Sequence, residues 1–143
     1  MTEYRESFAR LRELTEQSSF IDPTLLALLL ESLPDTVIVI DEGGTILLVN
    51  HQCELMFGYA RSELLGQTME ILLPDTIRPK HIDHRRHFFE NPRSRPMALG
   101  RELKGRRRNG MEIDLEINLS PIVTERGMYA VAIVRKTRGD GQA

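Results

Sequence analysis

Three histidines, His81, His84 and His87, recur every three residues, and one cysteine, Cys53, stands apart from them. These are the side chains with which the chain could ligate a metal. On a helix, positions i and i+3 lie roughly 60° apart and i and i+6 roughly 120° apart. The three rings therefore diverge, and no cysteine or carboxylate at metal-site spacing joins them. No metal site is expected, and with Arg85 and Arg86 the histidines read as a solvated basic face. Arg78 to Arg108 carries 11 Lys/Arg against three acids, Asp83, Glu90 and Glu102. Such a stretch could meet an anionic protein or nucleic acid. It has no interleaved aromatics and no recognition helix, so a nucleic-acid partner is disfavoured against a solvated face partly paired with Glu112 and Asp114. No nucleophile–base pair or pair of catalytic carboxylates stands out, and Gly43-Gly44 reads as a turn rather than a phosphate cradle. The chain is not expected to be an enzyme.

The bulk composition agrees with a regulatory or binding role. The 143 residues, 41% hydrophobic, suffice for one packed core plus an appendage. The net charge of −2 predicts no polyanion partner, and one cysteine forms no internal disulfide. No apolar run reaches the roughly 18 residues of a membrane span, and the N-terminus lacks the cationic-then-apolar order of a signal peptide. A cytoplasmic protein is the simplest expectation.

The elements that would position any site follow from local pattern. Tyr4, Phe8, Leu11 and Leu14 form one narrow stripe on a predicted helix over residues 2–18, suited to lying on the domain or pairing with a second copy. Asp22 caps a second helix with Pro23 at its first position. That helix, with Leu25, Leu26, Leu28, Leu29, Leu30 and Leu33, is apolar on most faces and is expected to pack on the sheet and on a partner. Val37 to Ile40 and Ile46 to Val49, split by Asp41-Glu42-Gly43-Gly44, read as a tight hairpin. Asn50 then caps a short helix that carries Cys53, Met56 and Phe57 and stops at Gly58. Ser62 to Gly66 and Thr68 to Leu73 are single turns. A longer helix runs from about Asp75 to Phe89, with Pro79 marking where it can start. Residues 99–137 read as three strands.

Register decides what the first of these strands presents. A three-residue loop with Gly110 left-handed pairs Arg107 with Met111, Arg106 with Glu112 and Lys104 with Asp114, and turns Leu103 inward beside Leu115. The same parity turns Arg101 inward beside Ile117. An inward guanidinium is costly unless something anionic or polar meets it.

The ordered string of Asp41, Gly44, Asn50, Phe57-Gly58-Tyr59, Glu63-Leu64 and Gly66 resembles the start of a PAS domain. Leu72-Leu73-Pro74, the Gly105–Gly110 segment, Glu112-Ile113 and Ser120-Pro121 extend the likeness over residues 31–137. The resemblance implies an α+β fold, a five-stranded antiparallel sheet with helices over one face. It divides the chain into an N-terminal helical extension (1–33), a PAS sensor domain (34–137) and a tail or linker (138–143). It also implies a sensor that dimerises through its N-terminal helices, holds a small molecule between sheet and helices, and relays to an effector such as a histidine kinase, cyclase or phosphatase in a two-component or similar system.

Within the family, His81, seven residues after Pro74, is similar in place to the haem ligand of the FixL-type subset. Arg101 matches that subset's distal arginine, and Ile117 and Leu119 would line the distal face. Haem b, hence gas sensing, is thus one implied cofactor and function, with His81, Arg101, Ile117 and Leu119 as its candidate residues. Flavin adduct chemistry is disfavoured, because the Asn-Cys-Arg-Phe string of light-sensing relatives is absent from Gly66–Glu70. Cys53 reads as core.

Overall fold

The computed structural model describes residues 22–93, 95–97 and 103–137. The Tyr4–Leu14 stripe, Arg101 and the tail from residue 138 lie outside them.

Helix α1, Pro23–Ser32, begins on Asp22, whose carboxylate accepts from the Leu25 amide at 2.8 Å. Strands β1 (Thr36–Asp41) and β2 (Ile46–Val49) form the expected hairpin. Its turn is closed by Asp41, whose carbonyl accepts from Gly44 N at 3.0 Å and whose side chain accepts from Thr45 N at 2.9 Å. Helix α2 (His51–Phe57) ends on Gly58 at φ +79°, and α3 (Arg61–Leu64) is one turn. Two 3₁₀ turns, Met69–Leu72 and Asp75–Ile77, lead into α4, Arg78–Glu90, where Pro79 sits in the first turn and so removes no helical hydrogen bond.

Strands β3 (Arg95–Met97), β4 (Leu103–Arg106), β5 (Glu112–Thr124) and β6 (Gly127–Lys136) complete an antiparallel sheet ordered β2-β1-β6-β5. Both β3 and β4 pair with β5 at different places along it, so the sheet has five rows and the fifth is interrupted. The β4–β5 register is the expected one: Leu103 faces Leu115, Lys104 faces Asp114 and Arg106 faces Glu112. Gly110, at φ +89°, donates to the Arg107 carbonyl, and Arg107 N donates to Met111 O.

Farther along β5, Ile117 lies opposite Met97, while Leu115 lies opposite Leu103. The place beside Ile117 that was expected for Arg101 is thus taken by Met97.

Ile38 and Ile40 of β1, Leu115 of β5 and Ala130, Ala132 and Val134 of β6 form one side of the core. Cys53 and Phe57 of α2, Leu64 of α3, Leu72 of the first 3₁₀ turn and Phe88 of α4 pack onto them. Gly105 lets the sheet approach α2, since a Cβ there would meet Leu115 Cδ1 at 2.5 Å and the Phe57 ring at 3.0 Å. Helix α1 departs from expectation: none of its residues is buried, and Leu28 and Leu29 are 61% and 51% exposed.

Candidate functional site

Thr36, Asn50 and Glu70 are the buried polar residues among those described, and the last two are held in different ways. Asn50 is fully buried and makes four hydrogen bonds, all to backbone. Its Oδ1 accepts from Val37 N (2.9 Å) and Cys53 N (3.3 Å), and its Nδ2 donates to Leu30 O (3.1 Å) and Asp35 O (2.9 Å). It caps α2, as its sequence position predicts, and also ties the end of α1 to the start of β1. This is a structural joint with no capacity left for a ligand.

Glu70, 6% exposed, is the other. It sits on the Met69–Leu72 turn, which β2 and its hairpin hold in place: Ile46 N donates to Gln67 O at 2.8 Å and Met69 N to Gly44 O at 2.9 Å. Its Oε1 accepts from Arg85 Nη1 of α4. Its Oε2 lies 3.2 Å from His81 Nδ1, one helical turn earlier, within ion-pair range but not aligned for a hydrogen bond. The Arg85 guanidinium lies against Gly44, whose φ of +83° and missing Cβ make room for it; a Cβ there would overlap it. Burial pushes the His81 imidazole below its usual pKa, against the pull of the Glu70 carboxylate, and the Arg85 charge adds to the lowering. His81 is therefore neutral at pH 7.

This corrects the reading of α4 as a uniformly solvated basic face. Arg85 turns inward, with 13% of its side chain exposed, because it has a buried counter-charge to meet. Glu70 was the signal available in the sequence: it is the lone charge in the run Met69–Leu73. Other cations on this side do pair at the surface, Lys104 with Asp114 at 2.6 Å and Arg106 with Asp75 at 3.4 Å. Among the described residues, no group of His, Cys, Asp or Glu is arranged to hold a metal ion.

The haem candidates divide. Ile117 and Leu119 do face the helix side and pack against the core cluster, as the alternation predicts. His81 lies on α4, its Nδ1 turned to Glu70. Phe88, on the same helix and 2% exposed, belongs to that core cluster. A neutral imidazole backed by a carboxylate is a sound donor for iron; Glu70 turns its Oε2 to His81 while Arg85 holds its Oε1. Phe88 and the β5 aliphatics belong to one packed cluster, and His81 meets Glu70 beside it. A surface cleft of about 370 Å³ lies between the β1–β2 turn and α4, lined by Glu42, Ile82, Arg85, Arg86, Phe89 and Glu90, and it includes neither His81 nor the β5 aliphatics. Cys53 is fully buried, with its thiol pKa pushed up to about 12 by desolvation, and is core rather than reactive.

Known proteins show the same pattern. The chain is 31% identical over 98 residues to the oxygen sensor protein DosP of Escherichia coli, covering 68% of this chain. It is 29% identical over 112 residues to the sensor protein FixL of Bradyrhizobium diazoefficiens, covering 78% of this chain. It spans only 12% and 22% of the lengths of these two relatives. The crystal structure of the PAS domain of an HTR-like protein from Haloarcula marismortui superposes with a TM-score of 0.67 at 25% identity, covering 93% of this chain and 99% of that one. No described helix is long and apolar enough to cross a membrane. The sequence profile described as "PAS fold" matches residues 24–136, and with the hairpin, the Asn50 joint and the five-row sheet all in place, the chain belongs to the PAS family of sensory domains.

Proposed function

We propose that this domain is a cytoplasmic, non-enzymatic sensory module that works as a homodimer, detects a small molecule between sheet and helices, and relays the result to an effector such as a histidine kinase. The exposed face of α1 carries this reading. Leu25, Leu26, Leu28, Leu29 and Leu33 are each between 37% and 61% exposed on one short helix. A patch of that kind is costly in water and marks an interaction surface. The face of the sheet turned away from the core is also apolar in part, with Val39 between Leu48 and Val131 and with Ile122 and Ile133 each 37% exposed.

The geometry also suits relay. Thr36 pairs with Val134, and Asp35 pairs with Arg135 at 3.0 Å, so the chain enters the sheet from α1 and leaves it after β6 at one corner. A shift in α1 packing reaches the C-terminal exit through one ion pair and one strand pairing. Light scattering on the full chain tests the dimer. The wild type is expected to be dimeric, and Leu28→Glu with Leu29→Glu to be monomeric and folded. A wild type that stays monomeric at high concentration removes the dimer. An absorption spectrum after haem supplementation tests the ligand class: a Soret band lost in His81→Ala would replace this reading with haem-based gas sensing.

A further inference from the structure

We propose that α4 is a hinged lid over the core, held shut by the Glu70–Arg85 ion pair acting as its latch. The lid is weakly held elsewhere. Of its 13 residues only Phe88 is buried, and Phe89 packs partly against the same core, so its apolar attachment is small. Elements with so few buried apolar contacts open at lower free energy than the fold as a whole.

The two halves of the latch differ in how they are anchored. Glu70 belongs to the fixed side, because its turn is stitched to the β1–β2 hairpin through Met69 N to Gly44 O and through the Thr45–Thr68 bridge. Arg85 belongs to the moving side. The N-terminal end of α4 is tied down by Arg78, whose Nε donates to Leu73 O at 3.0 Å and whose Nη1 meets Asp75 at 2.8 Å. The C-terminal end stops at Asn91, outside helical conformation and followed by Pro92. Release of Arg85 therefore swings the C-terminal half about the Arg78 end and lifts Phe88 from the core. Gly44 is the third part, since its bare backbone is the surface against which the guanidinium rests.

Opening exposes the face formed by Ile117, Leu119 and the core residues around them, where the sensor reading needs a ligand to sit. What the lid uncovers rests on that reading; whether it opens does not. Hydrogen–deuterium exchange of the full chain tests it with Glu70→Gln and, independently, Gly44→Ala, which pushes Arg85 away from the hairpin side without altering α4. Both are expected to speed exchange across residues 78–90 about tenfold or more, while β5 and β6 amides keep their rates. Unchanged α4 exchange in both variants, or equal acceleration in α4 and the sheet, overturns the lid. Should Glu70→Gln fail to fold, Gly44→Ala decides alone. Nile red binding, measured in parallel, separates the two ideas: opening without dye binding leaves the lid standing and removes the pocket.

Discussion

Asn50 and Glu70 are both buried polar residues beside the same hairpin, yet they do opposite things. Asn50 is neutral, and its four partners are backbone groups of three separate segments. Backbone partners cannot be substituted away and cannot rotate out, so the joint is permanent. Glu70 is charged, and its partners are two side chains on one helix. Side-chain partners can leave together with that helix. A neutral amide satisfied by backbone fixes a fold, whereas a carboxylate satisfied by side chains fixes one state of it.

Substitution at Asn50 breaks the comparison most severely. Asn50→Ala leaves the buried amides of Val37 and Cys53 and two carbonyls without partners, and is expected to cost about 3–4 kcal/mol. Thermal unfolding should show it as a fall in Tm of about 10 °C or more. No second substitution can rescue it, because every partner is main chain.

Glu70 should behave differently. Glu70→Leu alone strands Arg85 and is expected to cost about 2–4 kcal/mol, while Glu70→Leu with Arg85→Met costs about 1 kcal/mol or less. Urea denaturation of the two single variants and the double variant completes the cycle. A double variant as unstable as the sum of its singles would erase the distinction between joint and latch.

Acid sharpens the contrast further. The His81 pKa in the fold lies below its unfolded value of 6.5, through burial first and Arg85 beside it, with Glu70 opposing. The unfolded chain therefore binds the proton more readily, so stability is complete above pH 6.5 and is lost as pH falls from there toward the folded pKa. His84 is the other titratable group that bears on it. Stability measured from pH 7.5 to 5 should lose this slope in His81→Gln and keep it in variants near Asn50.

The smallest effect belongs to Cys53, whose amide Asn50 holds. With its thiol shifted to about 12 and fully buried, alkylation by iodoacetamide at pH 8 should be about a hundredfold slower than in the unfolded chain. Rapid native labelling would show that the Asn50 side opens too.

Much of this fold is legible in short stretches of sequence. Asp41-Glu42-Gly43-Gly44 dictates its turn, Asn50 its cap, Gly58 and Gly66 their helix ends and Asn109-Gly110 its loop, because each depends on chemistry within a few residues. The β4–β5 register was readable for the same reason: loop type sets pairing, and the opposite charges at Lys104–Asp114 and Arg106–Glu112 agree with it. The failures involve distance along the chain. Alternation counted back from Asn109-Gly110 put Arg101 beside Ile117, and nothing local in the sequence says that Met97 takes that place. Helix α1 was expected to pack on the sheet and on a partner, and in the single chain Leu25, Leu26, Leu28 and Leu29 face outward.

The sequence by itself determined the PAS architecture, the Asn50 cap and the core-facing aliphatics of β5, since local dihedral preferences and alternation settle them. Only the tertiary structure decided the partners of Arg85 and His81. A helical wheel places Arg85 among solvated cations, and nothing local tells it that Glu70, 15 residues earlier, is buried beside Gly44. Coulomb attraction in a desolvated site overrides the surface preference of an arginine, and that site exists only once the hairpin, the Met69–Leu72 turn and α4 have come together.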